Sequence, residues 1–296
     1  MSEVVLKEVR DGVAVLTLNR PDRLNAWTQE MERVYFEMLA ECAAAEEVRV
    51  IVVTGAGRGF CAGADMQDLQ GLGDRASGAE PSAATGENGA AEAAVQHERT
   101  PQTFPLSIPK PIIAAINGPC AGIGLVQALM CDLRFVAEDA KLTTAFARRG
   151  LVAEHGISWI LPRLVGPARA LDLLLSGRVL LGREAAALGL ANRAYVPEAL
   201  LEQTLSYARE LAVHCSPASM ATMKAQVYAA LDQTLPDALA EADRLMLASF
   251  AAPDFVEGVA SFVERREPRF APLAASAPST APQLAGRSSS GRPATG

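Results

Sequence analysis

Hydrophobic and polar positions change period several times along the chain, and each change marks an element. Val4–Val9 and Val13–Leu18 alternate around Asp11-Gly12, which predicts a β-hairpin. A polar connection, Asn19-Arg20-Pro21-Asp22-Arg23-Leu24-Asn25-Ala26, follows it. Thr28 then stands as the N-cap of a helix expected to run to about Ala45. Val50–Thr54 is a continuous apolar, β-branched run, the pattern of a strand buried on both faces, and it ends in Gly55-Ala56-Gly57-Arg58-Gly59. Ile112–Ile116 repeats that pattern and runs into Asn117-Gly118. Gly122–Met130 reads as a helix and Leu133–Ala137 as a further strand, whereas Glu198 to about Glu267 is helical only. Strands alternating with helices predict an α/β fold. Two stretches fit neither period. Gly71–Ala94 and Ala271–Gly296 hold too few large apolar residues to offset their ordering entropy. The first is expected to be a flexible insertion, open to a reading as a loop over a site, and the second a disordered tail.

Composition narrows the classes. Half of the 296 residues are hydrophobic but only 5% are aromatic, so the core must be built mainly from Ala, Val, Leu and Ile. The length suits one large domain, or one domain with a smaller appendage. A net charge of −7 argues against a nucleic-acid partner. No apolar run reaches about twenty residues, so no membrane insertion is expected. The opening Met-Ser-Glu-Val-Val-Leu-Lys-Glu lacks a basic start and an apolar stretch, so no export signal is expected. The five cysteines are odd in number and widely spaced, which suits reduced thiols and a cytoplasmic location. With no Cys-x-x-Cys and three scattered histidines, no metal site is expected.

The glycines carry the candidate chemistry. Gly55-x-Gly57-x-Gly59 after a strand invites a nucleotide-binding reading, but the spacing is wrong for a dinucleotide fold and no Gly-Lys-Ser/Thr follows. A better reading takes two strand exits together: Gly59-Phe60-Cys61-Ala62-Gly63-Ala64-Asp65-Met66 and Asn117-Gly118-Pro119-Cys120-Ala121-Gly122-Ile123-Gly124. Small residues let a ligand approach the backbone, and the second exit opens a helix whose N–H groups favour negative charge. Converging N–H groups would form an oxyanion hole, although such turns also arise for packing.

These segments resemble the enoyl-CoA hydratase/isomerase, or crotonase, family. The resemblance rests on Phe60-Cys61-Ala62-Gly63-Ala64-Asp65, Lys110-Pro111-Ile112-Ile113-Ala114-Ala115-Ile116-Asn117-Gly118 and Met130-Cys131-Asp132-Leu133-Arg134. The Leu24-Asn25-Ala26 turn and the late Asp254-Phe255-Val256-Glu257-Gly258 stretch, with Phe262 to Pro268, also fit. It spans about residues 3–270. It implies a crotonase (ClpP-like) spiral of ββα units over 1–205, with 71–94 inserted, a helical trimerisation region over 206–270, and a tail over 271–296. It also implies a homotrimer or a dimer of trimers, and an acyl-CoA thioester as substrate, with no cofactor beyond the CoA that the substrate carries. By position, the oxyanion hole falls on the backbone N–H groups of Ala64 and Ile123. Leu24, Ala26, Ala62, Asp65 and Met66 fall on CoA contacts. Phe262 and Arg265 fall where a neighbouring subunit reaches the adenine and phosphate.

The acid/base positions depart from the hydratase pattern. The two hydratase glutamates would stand at Val126 and Phe146, and neither side chain transfers protons. The loop Phe146-Ala147-Arg148-Arg149-Gly150-Leu151-Val152-Ala153-Glu154-His155-Gly156 instead resembles the acid-bearing loop of peroxisomal-type Δ3,Δ2-enoyl-CoA isomerases. That match makes Glu154 the expected proton shuttle, with His155 beside it as a group that orients Glu154, acts as a base or lines a turn. Val126 and Phe146 are then expected to form an apolar pocket that keeps water out. The leading expectation is isomerisation of a 3-enoyl-CoA to a 2-enoyl-CoA. Hydration of a 2-enoyl-CoA and non-catalytic acyl-CoA binding are the alternatives.

Overall fold

The computed structural model describes residues 4–68, 70 and 102–273. The expected insertion at 71–94, and the expected tail from residue 274 on, lie outside them. β1 (Val5–Arg10) and β2 (Val13–Leu18) form the hairpin around Asp11 and Gly12. α1 (Gln29–Ala44) follows, with the Thr28 side chain accepting from the Met31 N–H at 3.2 Å, the cap that its position announced. β3 (Val50–Gly55) and β4 (Ile112–Ile116) are buried along their whole length, as their unbroken apolar runs require. A two-residue strand, β5 (Cys120–Ala121), leads into α2 (Ile123–Met130), and then come β6 (Leu133–Ala137) and β7 (Lys141–Thr143). α3 (Ile157–Val165), α4 (Pro167–Ser176), β8 (Leu180–Leu181), α5 (Gly182–Ala187) and β9 (Arg193–Tyr195) complete the α/β part.

Two sheets result. The larger has the order β1-β2-β3-β4-β6-β9, with β1 antiparallel to β2 and every later pair parallel. The smaller has the order β5-β7-β8. β3 and β4 are adjacent and parallel, so both chains leave the larger sheet at the same end. That adjacency brings the two glycine-bearing exits together.

α6 (Pro197–His214), α7 (Pro217–Ala230), α8 (Leu235–Phe250) and α9 (Pro253–Glu264) form the helical region. Each begins with a proline in its first turn, where the missing N–H costs nothing. The boundary expected at 205/206 lies within α6, which buries Leu200, Thr204, Ala208 and Ala212 as it packs across β2, β3, β4 and β6. α6 therefore belongs to the core. The break in character comes after it, since α8 has no buried residue.

α7 is tied to the sheet by charge. Lys224 Nζ reaches Asp132 Oδ2 at 2.7 Å and also donates to the carbonyls of Pro105 and Lys110. Tyr228 Oη donates to Asp132 Oδ1 at 3.0 Å, and the Ile112 N–H donates to Oδ2. Burial, with the Asp132 carboxylate beside it, pushes the Tyr228 phenol far above its ordinary pKa, so it stays a donor. Lys224→Met leaves the mostly buried Asp132 carboxylate without its cation. We expect a loss of about 3 kcal/mol in urea unfolding, the usual cost of removing one partner of a buried pair. A change below about 0.5 kcal/mol, as for an exposed pair, would contradict this account.

Candidate active site

Asparagine amides staple the loops that leave β2, β3 and β4. Asn117, just after β4, donates from Nδ2 to the carbonyls of Gly55 and Gly57, and its Oδ1 accepts from the Gly55 N–H. Asn25, in the loop after β2, donates to the carbonyls of Ala56 and Gly59 while its Oδ1 accepts from the Arg20 N–H. Each amide thus replaces a strand partner that the turning chain can no longer supply. The Gly55–Gly59 run is accordingly a tight turn that these amides hold.

Beyond the staples, the first exit runs alongside the second. Phe60 and Cys61 N–H groups donate to the Pro119 carbonyl, and the Ala121 N–H donates to the Cys61 carbonyl at 3.0 Å. On its other side the first exit pairs with Trp27. The Trp27 N–H donates to the Gly63 carbonyl at 2.8 Å, and the Asp65 N–H donates to the Trp27 carbonyl at 2.9 Å. This pairing decides where the Ala64 N–H points. In a planar trans peptide the C=O and the next N–H point in opposite directions. The Gly63 carbonyl faces Trp27, so the Ala64 N–H faces away from it. The same rule applies to the Gly122–Ile123 peptide. The Gly122 carbonyl accepts from the Val126 N–H down the axis of α2, so the Ile123 N–H projects from the helix start. Neither N–H donates to another group among the described residues.

Two glycines make this geometry attainable. Gly63 has φ +107°, a conformation that a side chain would strain. Gly124 lies so close to the first exit that a Cβ there would stand 2.4 Å from the Cys61 carbonyl oxygen.

Both N–H-bearing residues line one cavity of about 970 Å³. The exposed residues Arg23, Met66, Gln67, Asp68, Arg149 and Leu151 ring it, whereas Trp27, Glu32, Gln102, Ile123 and Phe146 are its buried wall. Glu154 and His155 line it too, with His155 Nε2 3.5 Å from Glu154 Oε2. His155 and Gly156 both have left-handed backbone, φ +56° and +82°, which turns the chain sharply between Glu154 and the start of α3. A non-glycine residue in that region is held there by its surroundings.

A family model described as enoyl-CoA hydratase/isomerase matches residues 8–272. The chain belongs to the enoyl-CoA hydratase/isomerase family. The 1,2-epoxyphenylacetyl-CoA isomerase of Escherichia coli is 35% identical over 91% of this chain and 99% of its own length. A Rhodobacter capsulatus protein named probable enoyl-CoA hydratase is 37% identical over 89% of this chain and 96% of its own. A crystal structure of a probable enoyl-CoA hydratase/isomerase from Mycobacterium abscessus superposes with a TM-score of 0.79 and 30% identity, covering 91% of this chain and 99% of that one. The protein is thus an acyl-CoA enzyme with the crotonase fold.

Within this family frame the expected site residues fall into three groups. Ala26, Ala62, Ala64, Asp65, Met66, Ile123, Phe146, Glu154 and His155 share the cavity. Leu24 and Val126 do not line it. Leu24 sits behind the first exit, where its carbonyl accepts from the Ala62 N–H at 3.0 Å, so it holds the loop. Val126 is fully buried in the core, so the expected apolar pocket has Phe146 but not Val126 in its wall. Phe262 and Arg265 lie on and just after α9, outside this cavity, with Phe262 85% exposed. Asp65 is held below its ordinary pKa by the Gln67 N–H and the Arg20 guanidinium, which it meets at 2.9 Å. It is therefore a standing anion that pins the loop.

Sequence reasoning missed Trp27, Glu32, Gln102, Arg149 and Leu151 as lining residues. Glu32 had a signal: it stands four residues before Phe36 on the buried side of α1, where a carboxylate is out of place. Gln102 had none, because it joins the wall only through tertiary packing.

Two tests follow from this geometry. Gly124→Ala forces the two exits apart and should lower turnover at least about 100-fold, the scale of losing one oxyanion donor. Circular dichroism should still report a folded chain, and unchanged turnover would refute the close-approach argument. Burial raises the Cys61 thiol to about 12, opposed by a backbone hydrogen bond from Gly63 and by the Arg20 charge. Its ordinary value is 9.0, so the folded state keeps a proton that the unfolded chain loses. Stability from this group is full below that value and falls as the pH rises toward 12. Cys61→Ala should flatten the alkaline fall in thermal melting.

Proposed function

We propose that this enzyme moves the double bond of a 3-enoyl-CoA to C2 by proton transfer through Glu154. The reading rests on one juxtaposition. Glu154 shares a cavity with the outward N–H groups of Ala64 and Ile123, while Val126 and Phe146 carry no acid. The thioester oxygen would lie on the two N–H groups. Glu154 takes the proton from C2, and that C–H electron pair moves into the thioester, giving a dienolate. The proton then returns to C4, the C3–C4 double bond becomes C2–C3, and the carboxylate is regenerated. No atom is gained or lost, and one carboxylate serves both transfers. His155 Nε2, 3.5 Å from Oε2, orients the carboxylate between them.

Hydration of a 2-enoyl-CoA is the second reading, supported by the relative named probable enoyl-CoA hydratase. It would ask Glu154 alone, or with His155, to activate water. Loss of catalysis with retained acyl-CoA binding is the third. On the leading reading, Glu154→Gln lowers conversion of 3-enoyl-CoA to 2-enoyl-CoA by at least about 1,000-fold with little change in binding, because the group acts on the reacting proton. Rapid 3-hydroxyacyl-CoA formation that survives Glu154→Gln would overturn the reading. Acyl-CoA binding without turnover in either direction would favour the third.

The same family reading makes the protein a homotrimer or a dimer of trimers. Its support is the bare apolar face of the helical region, where Leu235, Leu239, Leu247, Phe250, Phe262 and Val263 are all exposed. Faces of this kind mark interaction surfaces. Light scattering should give a multiple of three chains, and Phe250→Asp with Leu247→Asp should shift the protein toward monomer. A wild-type monomer would refute the assembly.

A further inference from the structure

The N–H of residue 64 is flanked by a soft point in the backbone. Gly63 has φ +107°, and a glycine resists rotation less than any other residue. The aim of the Ala64 N–H must therefore come from contacts around it. Trp27 supplies two of them, but Trp27 itself hangs at the end of the polar connection after β2. Arg20 closes the circuit. Its Nη1 donates to the Ala26 carbonyl at 2.5 Å and its Nη2 to Asp65 Oδ2 at 2.9 Å. Ala26 precedes Trp27 and Asp65 follows Ala64, so the guanidinium ties together the two segments that meet in the Trp27–Ala64 bridge. Both ends of this clamp are anchored. The Arg20 N–H donates to Asn25 Oδ1, and the Arg20 carbonyl accepts from the N–H groups of Arg23 and Asn25. Asp65 Oδ1 accepts from the Gln67 N–H at 3.1 Å. The Arg20 and Asp65 side chains are only 24% and 15% exposed, so their charge-assisted bond is largely sheltered from water. Arg20 does not line the cavity, and so acts on the site only through the loops it joins.

We propose that Arg20 is a positioning residue for catalysis, whose two-pronged clamp on Ala26 and Asp65 keeps the Ala64 N–H aimed at the thioester oxygen. The proposal rests on the reading that this oxygen lies on the Ala64 and Ile123 N–H groups, but not on which reaction follows. A donor that wanders loses little against a neutral carbonyl and much against an oxygen that gains charge. Opening the clamp should therefore lower kcat more than it raises KM. The guanidinium is also specific to the task. Its planar fork holds two acceptors at one fixed angle, whereas an ammonium is a point charge on a flexible stem.

Infrared difference spectra of bound hexanoyl-CoA, labelled with carbon-13 at the thioester carbonyl, read the aim directly on the full chain. Hydrogen bonds to that oxygen lower its stretching frequency. The wild type should lower it relative to free ligand, and Arg20→Met should return it toward the free value while hexanoyl-CoA still binds. The same variant should lower kcat for enoyl-CoA at least about tenfold with KM little changed, part of the loss expected for removing an oxyanion donor outright. Arg20→Lys should recover only part of either readout. Asp65→Asn opens the clamp from its other end and should move both readouts the same way, so the test does not depend on one variant folding. In the double variant the two changes should fall well short of adding, because they break one contact. Lys224→Met is the control for stability alone: it should melt earlier and keep the wild-type frequency. A wild-type shift that persists in both Arg20→Met and Asp65→Asn overturns the positioning role and leaves the oxyanion reading standing. No shift in the wild type overturns the oxyanion reading itself, and the positioning role with it. Frequencies that behave as expected while no 3-enoyl-CoA is converted leave the clamp in place and remove the isomerase reading.

Discussion

The close pairing of two strand exits is the constraint on which the rest of the site depends. The Cys61 carbonyl accepts the Ala121 N–H while Gly124 packs against the same residue, so α2 begins within contact of the first loop. From that contact the sheet order acquires a purpose. Because β3 and β4 are adjacent and parallel, they deliver their two loops side by side to one end of the sheet. Peptide planarity then does the aiming: Trp27 occupies one side of residue 64 and the first turn of α2 occupies the carbonyl of residue 122, which leaves two N–H groups facing outward. Aiming by backbone is stiffer than aiming by side chains, since it costs no rotamer freedom and moves only if the sheet moves. Preorganised donors of this kind need no rearrangement when charge develops on a bound oxygen.

An interior this apolar can hold such loops only if their polar groups are satisfied. The chain meets that requirement with a few long or amide side chains. Asn25 and Asn117 bridge turning backbone. Lys110 is buried, yet its ammonium donates to the carbonyls of Cys42 and Ala45 at the end of α1, where a cation also suits the helix dipole. Arg134 does the same for the carbonyls of Cys131 and Leu190. Burial lowers the pKa of both cations, which measures how far they have been removed from water to serve the backbone. The low aromatic content thus has a counterpart. Small aliphatic residues leave narrow spaces, and these side chains thread through them to carbonyls that larger neighbours would have covered.

Much of the architecture was legible because its signals are local. The Asp11-Gly12 hairpin, the Thr28 cap and the unbroken runs at Val50 and Ile112 each lie within one element, and the structure places them within about a residue of the reading. The paired exits were legible as candidates, because clustered small residues after buried strands have few uses. What the one-dimensional pattern could not supply was depth. Val126 and Phe146 are both apolar positions on the expected site list, but α2 turns Val126 into the core, whereas Phe146, in the segment after β7, is on the cavity wall. Leu24 matches a ligand-contact position, but its carbonyl is spent on Ala62. Glu32 was not singled out in the sequence. It is on the face that carries Tyr35 and Phe36, and two of its partners, Trp27 and Gln102, come from five residues before it and seventy after it. Contacts between distant segments have no periodic trace.

The distribution of carboxylates around the cavity ties these strands together. Glu154 sits in a loop whose backbone enters the left-handed region at the next two residues, His155 and Gly156. Glu32 sits on a regular helix, fixed by an indole and an amide. One acid is thus on a short irregular segment at the partly exposed side, and the other on a rigid element at the buried wall. A proton shuttle must reach two carbons of one substrate, which favours a carboxylate with some freedom and few hydrogen bonds. The same functional group is therefore held in two ways in one cavity, and the segment that carries it decides which.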